Sequence, residues 1–256
     1  PPLHEFLPSQ KNTPLIKSLA KSMNVTSKQI INRIVDLFEI NPMLGHRGCR
    51  LAISFPEITE MQVTAILTAT AKLINKGQNP NPEIMIPLIS SVKEFNHQKL
   101  IIKKIARKIE AKYNLKIKYS IGTMIELPRA CLTADEIAKS ADFFSFGTND
   151  LTQTTFGFSR DDIGSFIQNY FDNHILKEDP FKTIDKNGVG QLVQIATERG
   201  RKVNKKIKIG ICGEHGGDPK SVYFFDNIGL DYVSCSPYRV PIARLSAAKN
   251  AIRNAM

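Results

Sequence analysis

The chain has 256 residues, of which 42% are hydrophobic and 23% are charged, and this is enough material for one sizeable core. Its net charge of +11 suits anionic partners, although charge alone does not distinguish nucleic acid, acidic metabolites and a partner protein. The four cysteines form no C-x-x-C pair, which argues against a structural zinc site or a disulfide framework. No apolar run approaches the ~20 residues of a membrane span.

The N-terminal segment has no basic stretch followed by an apolar run, so we find no signal peptide. We therefore expect a soluble, cytoplasmic protein without a membrane partner. The chain begins at Pro1 rather than at a methionine, which we interpret as a sign of a fragment.

Helical patterns occupy the first part of the chain. Residues 1–12 are proline-rich and irregular, and a helix is predicted over 13–23. Thr26 is a suitable N-cap for a second, amphipathic helix. A loop is predicted over 41–48.

Beyond residue 47, apolar segments alternate with helical ones. Strands are predicted at 48–54, 83–89, 117–126, 142–146, 206–212 and 230–235. Helices are predicted at about 57–76, 91–112, 133–139, 148–156, 162–171, 188–203, 218–228 and 239–255, and Gly77 is placed to cap the first of them. The alternation predicts an α/β fold, with a parallel sheet and helices outside it, in one domain over residues 1–256. A closed barrel needs eight strand–helix units and we count six, so either the sheet is open or two units lie upstream of Pro1.

The segment over residues 143–153 is the centre of the functional prediction. Its aromatic first half is typical of a buried strand that Gly147 ends, and Thr148, Asn149 and Asp150 are residues that start helices. The free N–H groups at a helix start favour an anion. The Asp150 carboxylate is a suitable ligand for Mg²⁺, so this segment indicates phosphate or carboxylate chemistry.

Other reactive residues follow other predicted strands, where a parallel sheet would collect them at its carboxyl edge. Glu126 ends one strand and Cys212 ends another, while Arg47 lies in the loop that enters the first. Arginine suits bidentate binding of phosphate or carboxylate. In an extended segment Arg47 and Arg50 would point to opposite faces, so only one of them is expected to reach the pocket.

Each of these residues also has a simpler interpretation. Glu126 could be a capping carboxylate or could pair with Arg129. Asp150 could have no role beyond capping its helix. Most free cysteines are inert, but the glycines around Cys212 indicate an exposed, reactive thiol. His215 could tune that thiol, although a lone histidine is more often structural.

Taken together, these motifs resemble those of the phosphoenolpyruvate-utilising enzymes. The Gly-Thr-Asn-Asp-Leu segment at 147–151 is shared across that family, while Gly-His-Arg-Gly-Cys-Arg at 45–50 and Cys-Gly-Glu-His-Gly-Gly-Asp-Pro at 212–219 are specific to its pyruvate, phosphate dikinase branch. The resemblance spans nearly the whole chain. It implies a TIM-type (β/α)8 barrel, the C-terminal domain that binds phosphoenolpyruvate or pyruvate, lacking its first two strand–helix units.

The resemblance also implies roles for individual residues. Glu126 and Asp150 match the Mg²⁺ ligands, which also belong to the substrate site. The substrate loop matches Gly147, Thr148, Asn149 and Asp150. Arg47 matches an arginine of the phosphoryl pocket, and Cys212 matches the acid that moves a proton at the methyl carbon of the enolate.

The family reaction of this branch converts ATP, phosphate and pyruvate to AMP, pyrophosphate and phosphoenolpyruvate through a phosphohistidine on a swivelling domain. The nucleotide-binding and phosphohistidine domains are absent from this sequence, so we expect ATP and phosphate to act only through them. The resemblance further implies a homodimer. We expect the chain alone not to run the full reaction.

Three other interpretations stay open. A phosphoenolpyruvate synthase or the phosphotransferase-system enzyme I would share the substrate loop and the pair of carboxylates. A basic module that binds nucleic acid is a non-enzymatic alternative, but the sequence contains no RNA-recognition, helix-turn-helix or zinc pattern. A barrel that has lost turnover is the third, and the presence of Glu126, Asp150 and Cys212 argues mildly against it.

Overall fold

The computed structural model describes residues 3–39 and 44–255. Its centre is one parallel sheet of five strands, ordered β1-β2-β3-β4-β5 along both the sheet and the chain. The strands are β1 (Glu83–Ile86), β2 (Ser120–Ile125), β3 (Phe143–Gly147), β4 (Lys208–Cys212) and β5 (Tyr232–Val233). The predicted α/β fold with a parallel sheet is therefore confirmed.

Helices precede, connect and follow these strands. They are α1 (Thr13–Ser22), α2 (Ser27–Leu37), α3 (Gly48–Ser54), α4 (Pro56–Asn75), α5 (Val92–Tyr113), α6 (Pro128–Leu132), α7 (Ala134–Ala138), α8 (Thr148–Phe156), α9 (Ile167–Asp172), α10 (Val189–Val203), α11 (Pro219–Asn227) and α12 (Val240–Ala255). Short 3-10 turns lie at Leu3–Phe6, Ile163–Ser165, Glu214–Gly217 and Pro237–Arg239. No helix of the described ranges is long and apolar enough to cross a membrane.

The two faces of the sheet differ because side chains alternate along each strand. One face is apolar and packs with the connecting helices in the main core. Its strand residues are Ile84, Ile86, Ile121, Ile125, Phe144, Phe146, Ile209 and Ile211. The other face holds glycines beside aromatic rings, since a β-carbon on Gly122 would overlap the Phe143 ring and one on Gly210 would overlap the Tyr232 ring.

An ion pair crosses this second face. Lys208 Nζ lies 3.0 Å from Glu83 Oε1 and 4.9 Å from the centroid of the Tyr232 ring. Lys208 is on β4 and Glu83 is on β1, so two strands lie between them and a flat sheet would separate their backbones by about 14 Å. The two side chains therefore converge over β2 and β3, as they would on the concave side of a curved sheet.

The strand predicted at 48–54 is wrong, because these residues form α3. A short apolar run fits a strand or a buried helix equally well, and here tertiary contacts decide. Gly48 has φ +57°, and the Cys49 N–H donates to the Pro87 carbonyl just beyond β1. The described residues thus give five strands instead of six, without pairing between β1 and β5.

Apart from α6, which was not predicted, most of the remaining elements match their predictions with changes of boundary. Thr26 and Gln29 form a capping box at the start of α2, and Gly77 follows α4 with φ +78°. The helix predicted at 162–171 is split into a 3-10 turn and α9. Residues 1–2 of the irregular segment and 41–43 of the predicted loop lie outside the described residues.

A glycine substitution tests the contact between α3 and the end of β1. A β-carbon on Gly48 would lie 2.8 Å from Leu88 Cδ1 and would also require a left-handed backbone. Gly77 also has a positive φ, but a β-carbon added there would have no atom within 4 Å. We expect Gly48→Ala to lower the free energy of unfolding by about 1–3 kcal/mol more than Gly77→Ala, as measured by urea denaturation. Equal losses would contradict this packing.

Candidate active site

The carboxyl edge of the sheet brings the predicted residues together. Glu126 is the first residue after β2, Asp150 lies in the first turn of α8 after β3, and Cys212 is the last residue of β4. Cys212 on β4 is paired with Gly147 on β3 in the Cα register. Gly147 therefore lies between the thiol and the two acidic positions. Arg47 enters from the start of α3, and its Nη2 donates to Asp150 Oδ2 at 2.9 Å.

Glu126 is a buried carboxyl group, only 3% exposed. Burial, followed by the nearby Asp150 charge and a hydrogen bond between the two carboxyl groups, raises its pKa to about 8. The Leu88 N–H and the Arg47 charge act in the opposite direction. Two carboxylates this close repel each other when both are charged, and a bound cation would relieve that repulsion.

The backbone of Leu88 forms a hydrogen bond with the Glu126 carboxylate. Leu88 has φ +56°, an unfavourable conformation for a branched side chain, and its N–H donates to Glu126 Oε1 at 2.6 Å. The Leu88 carbonyl accepts a hydrogen bond from Cys49 Sγ at 3.1 Å. The strained residue is therefore held from both sides, by the carboxylate and by α3.

Gly147 leaves the space that the carboxylate occupies. A β-carbon at this position would lie 2.6 Å from Glu126 Oε2 and 2.6 Å from Met124 Sδ. The glycine is thus required by close approach, since its own φ of −91° is ordinary.

Cys212 is partly exposed, and its thiol donates to the Phe146 carbonyl at 3.6 Å. Burial raises the pKa of the thiol, a hydrogen bond with the Ser145 hydroxyl opposes this, and the nearby Glu126 charge adds to it. Ser145 also bonds the Tyr232 hydroxyl, whose pKa is raised mainly by burial. Cys212, Ser145 and Tyr232 therefore form a polar cluster next to Glu126.

Of the two roles left open for His215, the structure supports the structural one, because its ring nitrogens bond to Thr148 and Pro180. It is fully buried; its Nδ1 lies 2.7 Å from Thr148 Oγ1 and its Nε2 lies 2.9 Å from the Pro180 carbonyl. Burial lowers the pKa of His215, which favours the neutral ring. The carbonyl can only accept, so Nε2 carries the proton and Nδ1 accepts from Thr148. His215 therefore fixes the Thr148 side chain at the start of α8.

Asn149 carries an unsatisfied polar atom at the site. Its Oδ1 is buried and has no hydrogen-bond partner among the described residues. A β-carbon on Gly213, in the turn after Cys212, would lie 3.3 Å from this oxygen. An unpaired buried acceptor costs free energy, and its position at the start of α8 is suited to a ligand donor or cation.

The oxygen ligands fit a hard cation. Across residues 3–39 and 44–255, no group of three or more His, Cys, Asp or Glu side chains is arranged around a metal position. Glu126 and Asp150 form an acidic pair at this edge, and Mg²⁺ commonly binds one or two carboxylates while keeping other positions for water and substrate. The carboxylates of buried Glu126 and partly exposed Asp150, with the unpaired Asn149 oxygen, therefore fit Mg²⁺.

The structure also tests the simpler interpretations. Arg129 donates to the Ser90 carbonyl rather than to Glu126. Arg50 donates to the carbonyls of Leu44 and Gly45, so only Arg47 reaches the site, as predicted. The reasoning from an extended segment was wrong, because Arg47 is the N-cap of α3.

Four residues at the site were missed as individual functional candidates. Ser145 and Tyr232 have the strand periodicity that places them on the same face as Gly147 and Cys212. Gln153 lies one turn after Asp150, which is a spacing that brings helical side chains together. Arg160 lies at the end of the segment that follows α8, where its Nη2 is 3.7 Å from Glu214 Oε1.

Known proteins resemble this chain over nearly all of its length. Residues 12–252 match the family described as PEP-utilising enzyme, PEP-binding domain. The chain is 56% identical to the chloroplastic pyruvate, phosphate dikinase of Flaveria trinervia over 97% of this chain and 26% of that protein, and the same values hold for pyruvate, phosphate dikinase 1 of Arabidopsis thaliana. It is 55% identical to pyruvate, phosphate dikinase 2 of Zea mays over 97% of this chain and 28% of that protein. The chain thus spans roughly a quarter of the length of these relatives.

His215 gives a test of the site by pH. Its lowered pKa means that the unfolded chain takes up a proton near pH 6.5 before the folded chain does, so stability is lost as the pH falls. We expect His215→Gln to be less stable at pH 7 but to lose less stability between pH 7 and 5, by up to about 1.4 kcal/mol per pH unit. Urea denaturation at each pH measures this. His97→Gln, at an exposed histidine of α5, is the control, and identical pH profiles for wild type and His215→Gln would contradict the assignment.

Proposed function

Because this chain belongs to the phosphoenolpyruvate-utilising enzymes, and matches their PEP-binding domain over residues 12–252, we propose that it is the domain in which a pyruvate, phosphate dikinase carries out the chemistry of pyruvate. The predicted resemblance to this family is confirmed. The observation that carries the proposal is the meeting of Glu126, Asp150 and Cys212 at the ends of three neighbouring strands. A small ketoacid placed over Gly147 would face all three groups.

In this proposal Glu126 and Asp150 hold Mg²⁺, and bound Mg²⁺ would supply Lewis-acid stabilisation of negative charge on the enolate oxygen. The free N–H groups of Thr148 and Asn149 at the start of α8 bind the anionic substrate. Arg47, which is hydrogen-bonded to Asp150, supplies positive charge for the transferring phosphoryl group.

Cys212 moves the proton at carbon. Its raised pKa keeps the thiol protonated, which suits a donor. In the direction that forms pyruvate, the S–H bond breaks as the new C–H bond forms at the methylene carbon, and the thiolate is reprotonated afterwards. In the direction that forms phosphoenolpyruvate, the sulfur acts as the thiolate and takes a methyl proton, and the enolate oxygen attacks the phosphorus of the phosphohistidine as its P–N bond breaks and the imidazole leaves. Ser145 and Tyr232 orient the thiol through their shared hydrogen bonds.

The finer fold is part of the proposal. Sequential parallel order, with the apolar face covered by helices, is the arrangement of a (β/α)8 barrel, and the Lys208–Glu83 pair supports curvature towards the other face. Strands from a longer polypeptide would complete the barrel next to β1 and β5. Under the proposal, ATP, phosphate and the phosphohistidine act through other domains of that polypeptide, which pairs as a homodimer. The cytoplasmic location stays a prediction.

Substitutions at the thiol and at the carboxylate separate the two roles. In the full-length polypeptide that contains this domain, we expect Cys212→Ala to lower the rate of phosphoenolpyruvate formation by at least about 100-fold, because the proton at carbon loses its acid and base. Binding of oxalate with Mg²⁺, measured by calorimetry, should be retained. Asp150→Asn should lower the rate of phosphoenolpyruvate formation and should also weaken the binding of oxalate with Mg²⁺. Cys235→Ala, at the partly exposed cysteine after β5, is the control for Cys212, and full activity in Cys212→Ala would overturn its role.

The chain by itself gives a second test. We expect these 256 residues alone to make no phosphoenolpyruvate from ATP, phosphate and pyruvate, because the proposal assigns nucleotide binding and the phosphohistidine to other domains. Coupled detection of phosphoenolpyruvate measures this, with the full-length polypeptide as the positive control. Turnover by the chain alone would show that the proposed division of labour is wrong.

A further inference from the structure

We infer that Gln153 is a positioning residue that fixes the Asp150 carboxylate and the segment leading to Arg160 at the same time. Its importance for catalysis rests on the proposed function. Gln153 is only 8% exposed, and it lies three residues after Asp150 on α8.

The side chain of Gln153 uses both ends of its amide. Its Nε2 donates to Asp150 Oδ1 at 3.1 Å, and its Oε1 accepts from the Arg160 N–H at 2.7 Å. A backbone N–H can only donate, so the oxygen must face Arg160 and the NH₂ group must face Asp150. The orientation of the amide is therefore determined by its two partners.

This bridge completes the restraint on Asp150. Arg47 donates to Oδ2 and Gln153 donates to Oδ1, so each oxygen of the carboxylate is held by a different element. A carboxylate oxygen has a second lone pair, which stays available to a cation or to the proton of Glu126. Without Gln153, the Asp150 carboxylate could rotate about its last torsion, which is broad for aspartate.

The same residue ties down the segment after α8. The Gln153 carbonyl accepts from the backbone N–H groups of Gly157 and Phe158, and its side chain reaches Arg160. Arg160 lines a cavity of about 660 Å³, together with Lys182, Glu214 and Arg239. Gln153 thus connects a proposed metal ligand to the wall of the neighbouring cavity.

Two substitutions separate the ends of the amide. Gln153→Met keeps the approximate volume and removes both hydrogen bonds. Gln153→Glu keeps an acceptor for the Arg160 N–H and removes the donor to Asp150. Gln194→Met is the matched control, because the Nε2 of Gln194 also donates to a carboxylate, Glu198 Oε1 at 2.8 Å, on the exposed side of α10.

The first measurement needs no metal. Hydrogen exchange of the Arg160 amide, followed by NMR in the full chain, should be about tenfold faster in Gln153→Met and near the wild-type rate in Gln153→Glu and Gln194→Met. The amides of β3 serve as the internal reference for global stability. Unchanged exchange in Gln153→Met would overturn the bridge.

The second measurement concerns Asp150. Binding of Mn²⁺, used as the probe and followed by electron paramagnetic resonance, should be about tenfold weaker in Gln153→Met than in the wild type and in Gln194→Met. Faster exchange at Arg160 with unchanged Mn²⁺ affinity would overturn the positioning of Asp150. If the wild-type chain binds no Mn²⁺, the proposed metal site fails, while the exchange experiment still decides whether the bridge exists.

Discussion

The rest of the site depends on the interaction between the buried carboxyl group of Glu126 and the carboxyl group of Asp150. Removing a carboxylate from water is costly, and a second carboxylate nearby adds repulsion. The chain offsets part of this cost with the Leu88 N–H and the Arg47 guanidinium. The remaining repulsion can be relieved by a proton or by a cation, so the pair is suited to binding an ion.

The surrounding backbone has been adapted to that pair. Leu88 has a left-handed conformation, and in this conformation its N–H donates to Glu126. Gly147 has no side chain, which leaves room for the Glu126 carboxylate. Contacts with α3 hold the Leu88 turn in place. Strain of this kind persists where the surrounding structure over-determines it, and here it lies at the candidate active site.

The parallel sheet explains why so few residues suffice. Parallel strands all end at the same edge, so residues that follow β2, β3 and β4 meet although the chain separates them by tens of positions. The alternation of side chains then places Ser145 and Cys212 on the face that also carries Tyr232. Near the start of the strands, this face is filled by Lys208, Glu83 and aromatic rings. The carboxyl edge of the sheet is therefore left for a ligand.

The sequence by itself determined the alternation of strands and helices, the capping of α2 by Thr26, and the end of β3 at Gly147, because these depend on nearby residues. It also placed Glu126, Asp150 and Cys212 at one edge, because parallel strands leave no other arrangement. Only the tertiary structure decided that residues 48–54 form a helix, since a short apolar run is stable in either form until its neighbours are known. Tertiary structure likewise decided that Arg47 meets Asp150 across 103 positions of the chain, and that His215 holds Thr148 rather than the thiol. Such contacts depend on the order and curvature of the strands, which local residue patterns do not encode.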